Sequence, residues 1–307
     1  MQWKGVIPAM TTAFDRELAV DHEAMAHHAQ WMIASGCSGL VALGSLGEAA
    51  TLTFDEKVEI LRRLRSTLPA KAPVVAAISA LATKEAVALA RAAEAVGCDG
   101  LMILPPYVYQ GDWREMREHV GAVLRATRLS CMLYNNPIAY GTDFKPEHIR
   151  ELAENYDNLH AVKESSADLR RVTAIRALLG ERLAVFVGVD DAIVEGIAAG
   201  AVGWIAGLVN ALPEESVLLF DYASAGRQQE TFTLYRWFLP LLQMDTVPKF
   251  VQLIKLVQEK VGKGSARVRP PRLELSGKEL EEATAVIEES LQSRPRLAPL
   301  PLTGVML

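Results

Sequence analysis

What most constrains this chain is an alternation. Eight short apolar runs, Gly5-Met10, Gly39-Leu43, Val74-Ile78, Gly100-Leu104, Ser130-Leu133, His160-Val162, Ala184-Val187 and Gly203-Ala206, have the length of buried strands. Between them lie stretches of helical periodicity near His22-Ala34, Asp55-Thr67, Lys84-Val96, Trp113-Thr127, Pro146-Asn155, Leu169-Leu179 and Ala192-Ala199. Alternation of this kind implies parallel strands covered by helices. Three helix exits share a spelling, with glycine pairs Gly36 and Gly39, Gly97 and Gly100, Gly200 and Gly203. The first glycine supplies a left-handed cap, and the second admits close packing where the next strand starts. Open doubly wound sheets use the same corners. Eight units without a Gly-x-Gly-x-x-Gly nucleotide fingerprint favour closure into a (β/α)8 TIM barrel.

After the eighth run the pattern turns to helices only, near Glu214-Ala225, Gln229-Leu242, Val247-Val261 and Gly277-Gln292. The expected organisation is a barrel over residues 1–212 and a C-terminal helical extension over 213–307, packed together as one structural unit. Pro270-Pro271 breaks the helices, and the tail from Arg294 to Leu307 is expected to run extended along the surface or a partner. Half of the 307 residues are hydrophobic and 22% are charged, which suits a large core. A net charge of −5 argues against nucleic acid or an anionic membrane as partner. No export signal is recognisable, and no apolar run approaches the roughly 18 residues of a membrane span. Cys37, Cys98 and Cys131 sit in apolar runs and read as buried thiols, which fits a cytoplasmic protein.

Barrel enzymes carry their chemistry where the strands end. Here those ends carry Thr11-Thr12, the turn Gly44-Ser45-Leu46-Gly47-Glu48, Pro105-Pro106-Tyr107, Tyr134-Asn135-Asn136-Pro137, Lys163-Glu164-Ser165-Ser166, Asp190-Asp191 and the stretch from Gly207 to Asn210. Lys163 directly follows an apolar run, and two readings stand side by side. It can snorkel to the rim, or it can be a desolvated amine whose neutral form attacks a carbonyl. Tyr134 is either a buried phenol with a satisfied hydroxyl or a group that moves the protons an imine requires. The glycine-rich turn can be an ordinary β-to-α connection or a cradle whose N–H groups and Ser45 hydroxyl hold a carboxylate. Glu48 reads as its anchor, and Asp190-Asp191 as the N-cap of the following helix. The histidines, His22, His27, His28, His119, His148 and His160, fall on helices, loops or the wrong end of a strand, so no metal site is expected.

Gly44-Ser-Leu-Gly-Glu48, Tyr134-Asn-Asn-Pro137 and Val162-Lys-Glu-Ser165, in this order and with 29 positions from Tyr134 to Lys163, resemble the dihydrodipicolinate synthase / N-acetylneuraminate lyase family. The resemblance runs from Gly5 to about Asn210, with the helical extension as that family has it. It implies that Lys163 forms a Schiff base without any external cofactor, that Tyr134 shuttles protons, and that Ser45 with the Leu46 backbone holds a 2-oxo carboxylate. Asn136 and Tyr140 would face the distal part of the substrate, with Tyr107 and Gly207 as further substrate-binding positions. A homo-oligomer, dimer or tetramer, is also implied.

Three departures bear on the substrate. Val108 follows Tyr107 where the synthases of the family have a second tyrosine, Ile138-Ala139-Tyr140 lacks the arginine that binds a substrate carboxylate, and Leu46 replaces a second hydroxyl residue. The combination looks more like the branch acting on a hydroxylated 2-oxo acid or cyclic imine acid, in particular the 1-pyrroline-4-hydroxy-2-carboxylate deaminases. The alternatives are a retro-aldolase for a 4-hydroxy-2-oxo acid, a dehydratase for a 2-keto-3-deoxy sugar acid, the synthase itself, which the departures disfavour, and a barrel that binds without turnover.

Overall fold

The structure, a computed structural model, describes residues 1–296. All eight apolar runs form strands: β1 (Gly5–Pro8), β2 (Leu40–Ala42), β3 (Val74–Ile78), β4 (Gly100–Ile103), β5 (Ser130–Asn135), β6 (Leu159–Glu164), β7 (Ala184–Val187) and β8 (Gly203–Ala206). They pair in parallel in the order β1-β8-β7-β6-β5-β4-β3-β2. The ring closes between the first two strands through a bridge from Ala9 to Val41, where the Met10 N–H donates to the Val41 carbonyl at 2.8 Å. Strand residues are buried on both faces almost throughout, because side chains fill the barrel and helices cover it. This is a (β/α)8 TIM barrel.

The helices are α1 (His22–Ala34), α2 (Phe54–Thr67), α3 (Thr83–Ala95), α4 (Trp113–Arg125), α5 (Pro137–Tyr140), α6 (Pro146–Asn155), α7 (Arg170–Leu179), α8 (Ile193–Ala198), α9 (Pro213–Ser224), α10 (Gln228–Leu242), α11 (Phe250–Lys260) and α12 (Gly277–Gln292). The α-to-β corners follow their spelling, with φ of +100° at Gly36, +85° at Gly97 and +105° at Gly200. A Cβ on Gly203 would lie 2.2 Å from the Phe186 ring, so that strand start must be glycine.

One element was not legible as helix. The four-residue α5 starts at Pro137 behind the N-cap Asn136 and stops at Gly141, whose φ is +71°. Its single turn swings Tyr140 back over the barrel mouth. The C-terminal helices also reach the mouth, since Thr11 Oγ donates to Gln258 on α11 at 3.0 Å. The extended tail expected from Arg294 lies, from residue 297 on, outside the described residues. All three cysteines are buried and free. No helix among the described residues is long and apolar enough to cross a membrane.

Candidate active site

Lys163 and Tyr134 are direct partners in the β5–β6 ladder, so one pleat points both side chains the same way. The Lys163 Nζ lies 4.2 Å from the Tyr134 ring centroid. Room for the lysine comes from Gly188 at the end of β7, where a Cβ would come within 2.3 Å of Lys163 Cε. The snorkelling alternative does not hold, because Lys163 is only 6% exposed. Burial lowers its pKa below the ordinary lysine value, against the pull of Asp245, then Tyr140, then Asp190. The next rung is structural. Asn135 donates to Glu164 at 3.0 Å, and Glu164 accepts the Ser166 N–H at 2.7 Å, pinning the two strand ends.

A wall of tyrosines stands on the β4–β5 side of the lysine. The Tyr134 and Tyr140 rings meet edge to face at 5.8 Å, and Tyr107 lies 6.4 Å from Tyr140. The Tyr140 hydroxyl is hydrogen-bonded to Ser45 Oγ and engages the Tyr134 hydroxyl. Ser45, Tyr140 and Tyr134 thus form a hydroxyl chain within a single subunit. Burial raises the pKa of both phenols, and the Asn136 hydrogen bond partly offsets this at Tyr134. Asn136 was expected along the distal substrate. Its amide is instead engaged at both ends, with Nδ2 donating to Tyr134 at 3.0 Å and Oδ1 capping α5 through the Ala139 N–H at 3.0 Å. The same expectation for Tyr140 gives way to its place between Ser45 and Tyr134, because the turn of α5 brings it inward.

The turn after β2 is held under strain. Leu43 and Glu48, which flank it, both have left-handed backbones, at φ +67° and +54°. Such conformations cost about 1–3 kcal/mol each in non-glycine residues and persist only where the surroundings enforce them. Here the enforcement is visible. The buried Glu48 carboxylate accepts from Lys255 Nζ at 2.6 Å and the Arg269 N–H at 3.0 Å, while Thr12 Oγ donates to the Gly47 carbonyl at 2.6 Å. Glu48 is therefore an anchor, and the Leu46 N–H has no acceptor among the described residues. Lys255 escaped the sequence reading. Its signal was a single cation within the apolar run Leu253-Ile-Lys255-Leu-Val257.

The β7–β8 side is acidic, and here one expectation is corrected. Asp190 makes no N-cap hydrogen bond. Its buried carboxylate reaches across to β8 and accepts from Trp204 Nε1 at 3.2 Å, the Gly207 N–H at 3.0 Å and the Leu208 N–H at 2.9 Å. The unpaired donors at the end of β8 outcompete the shorter reach to its own helix. Burial raises Asp190 to about 6. Against Gly207 stands Asp245, which follows α10 and gave no signal in the sequence. A Cβ on Gly207 would fall 2.0 Å from the Asp245 carboxylate, so Gly207 gives this group its space. Burial, then Asp190, raises Asp245 well above the ordinary carboxylate range.

Among the described residues no cluster of His, Cys, Asp and Glu could hold a metal ion. His28 is turned into the structure, its Nε2 2.8 Å from the Asn210 carbonyl. The arrangement brings together a buried amine, a chain of hydrogen-bonded hydroxyls and a strained turn, groups of the kind that imine chemistry on a 2-oxo acid uses.

Comparison with known proteins agrees. The profile of the dihydrodipicolinate synthetase family matches residues 2–290. The 4-hydroxy-tetrahydrodipicolinate synthase of Moorella thermoacetica is 30% identical over 290 residues, covering 94% of this chain and 99% of that protein. A dihydrodipicolinate synthase structure from Bacillus anthracis superposes with a TM-score of 0.90 at 26% identity, covering 96% of this chain and all of the other. A monomeric dihydrodipicolinate synthase variant shares the fold, with a TM-score of 0.88 at 24% identity over 94% and 97% of the two chains. The family works through a covalent lysine Schiff base with pyruvate and no external cofactor. The chain belongs to the dihydrodipicolinate synthetase family of class I, Schiff-base-forming lyases.

Proposed function

We propose that this enzyme forms its Schiff base at Lys163 and acts on a small hydroxylated 2-oxo acid or cyclic imine acid, eliminating the hydroxyl. The observation that carries this reading is the pairing of a buried Lys163 Nζ, 4.2 Å from the Tyr134 ring, with a hydroxyl chain from Tyr134 through Tyr140 to Ser45. Ser45 and the Leu46 N–H hold the substrate carboxylate. The neutral amine attacks C2, Tyr134 delivers a proton to the departing ring nitrogen or water, and the hydroxyl chain replenishes it. The iminium then acidifies C3, whose proton leaves, and the 4-hydroxyl departs from the enamine. For 1-pyrroline-4-hydroxy-2-carboxylate, the nitrogen displaced from C2 stays on C5, the double bond left by water loss shifts to give a C5 imine, and hydrolysis at C5 and C2 releases ammonia, 2-oxoglutarate semialdehyde and free Lys163.

Elimination is preferred because the residues that would handle a second substrate carboxylate or a hydroxyl proton are missing. Val108 stands 75% exposed where the synthases of the family carry a second tyrosine, and the segment Ile138-Ala139-Tyr140, with Ala139 exposed, lacks their arginine. A second reading has equal support from the relatives' names, condensation of pyruvate with an amino aldehyde to 4-hydroxy-tetrahydrodipicolinate. Parallel assays separate the two. Ammonia and a five-carbon semialdehyde from the hydroxypyrroline acid support elimination. Condensation product without ammonia release assigns the enzyme to the synthase reaction. Pyruvate from 4-hydroxy-2-oxoglutarate, without ammonia, makes it a retro-aldolase. A homo-oligomer that covers Val108, Tyr109 and Ile138 completes the proposal, and light scattering reads it directly.

A further inference from the structure

Lys163 and Tyr140 are carried by different pieces of chain. Lys163 sits in β6, whereas Tyr140 ends α5, in a loop that leaves β5 at Asn135 and returns at Phe144. Both ends of that loop meet on one side chain. Asn135 begins the loop through its backbone, and its Oδ1 accepts the Phe144 N–H at 2.9 Å where the loop comes back. Its Nδ2 donates to Glu164, the residue after Lys163, at 3.0 Å, and to Asp143 in the loop itself at 3.4 Å. Asn135 and Glu164 are also partners in the β5–β6 ladder, which the Ser165 N–H extends by donating to the Asn135 carbonyl at 2.8 Å.

The chemistry of the position explains the asparagine. A site that must accept from a backbone N–H and donate to carboxylates needs an oxygen and an NH2 on one planar group. Asn135 is fully buried, so water cannot replace a lost partner. Aspartate has the same shape but would face the Glu164 carboxylate with no hydrogen to give. The loop has a second tie, from Asp143 to the Arg171 guanidinium at 2.8 Å. That one is partly exposed and fastens the loop to α7, whereas Asn135 fastens it to the strand that bears Lys163.

We propose that Asn135 is a positioning residue: by closing the Tyr140 loop on the Lys163 strand, it holds the Tyr140 hydroxyl between Ser45 and Tyr134. The inference rests on the hydroxyl chain serving imine formation at Lys163, and it adds the part that keeps the chain in register. It concerns the first half of the reaction, so it holds whichever bond the second half breaks.

A double-mutant cycle on the intact enzyme tests it, read as the rate at which pyruvate forms a borohydride-trapped adduct on the Lys163 peptide. Asn135→Asp and Tyr140→Phe should each slow adduct formation by about tenfold while leaving its final yield unchanged. The double variant should be no slower than either single one, because Asn135 acts through Tyr140. A double variant slowed by about a hundredfold, the product of two independent effects, overturns the proposal, as does Asn135→Asp at the wild-type rate. Asn135→Ser, which adds no charge to the core, carries the same cycle if the aspartate variant fails to fold. Hydrogen exchange needs no variant. In the wild type the Phe144 N–H should exchange as slowly as the amides of β5, and free exchange there overturns the proposal by itself. A Tyr140→Phe enzyme that forms adduct at the wild-type rate instead overturns the hydroxyl-chain reading and takes the positioning role with it.

Discussion

The two flanks of Lys163 are built from opposite materials. On the β4–β5 side, the rings of Tyr107 and Tyr134 pack against Tyr140, and the Tyr134 and Tyr140 hydroxyls are joined to each other and to Ser45. On the β7–β8 side, Asp190 and Asp245 present carboxylates, one saturated by donors and one bare. Burial acts on both flanks in the same direction, raising phenols and carboxylates alike, yet the consequences differ. A buried phenol stays protonated and hydrogen-bonded, whereas a carboxylate near a buried amine opposes the lowering of that amine's pKa. The comparison sets a chain of hydroxyls on one side of the amine and two buried acids on the other.

Removing the amine between the walls should have the largest effect. Lys163→Ala should reduce turnover to the uncatalysed level in a direct product assay, because neither wall can form the imine. Tyr134→Phe comes next, with turnover about 10²–10⁴-fold lower and thermal stability little changed, since only one hydroxyl is lost. A Tyr134→Phe enzyme with near-normal turnover would break the comparison outright.

The support beneath the carboxylate cradle can be broken separately. Lys255→Met leaves the buried Glu48 carboxylate without its ion-pair partner, and loss of one member of such a pair costs about 3–5 kcal/mol. Denaturant unfolding should register that loss. A variant as stable as the wild type would mean that the strained turn is held elsewhere, through Thr12 or Arg269. Tyr140→Phe should slow turnover by about tenfold, the worth of one hydrogen bond, with a smaller effect than at Tyr134 because Tyr140 acts through its neighbour.

The smallest effect links the two walls. Burial lowers the Lys163 pKa, so adduct formation with pyruvate should rise with pH and level off below the ordinary lysine value of 10.5. Asp245 opposes that lowering ahead of Tyr140 and Asp190. Removing its charge in Asp245→Asn should therefore shift the rising limb to lower pH. A limb that stays in place or moves up would show that the acidic wall does not act on the amine.

Much of this was written in local patterns. The strands, most helices and the glycine corners follow from periodicity and from the few residues able to adopt left-handed caps. Lys163 and Tyr134 were visible because each directly ends an apolar run, which in a barrel points at the mouth. Asp245 was not, because it follows α10 in the C-terminal helices and reaches the site only through tertiary packing. Tyr140 was assigned to the distal substrate because the one-turn helix that redirects it is too short to leave a periodic signal. Asp190 was read as a cap because sequence shows the neighbouring helix but not the unpaired N–H groups of Gly207 and Leu208 that claim its carboxylate.

The central claim is that the buried amine between the two walls is the covalent centre. Wild-type enzyme treated with pyruvate and borohydride, then digested and sequenced by mass spectrometry, should carry the reduced adduct on Lys163 alone. Robust turnover of a 2-oxo acid with no adduct, or with the adduct on another lysine, would contradict the account.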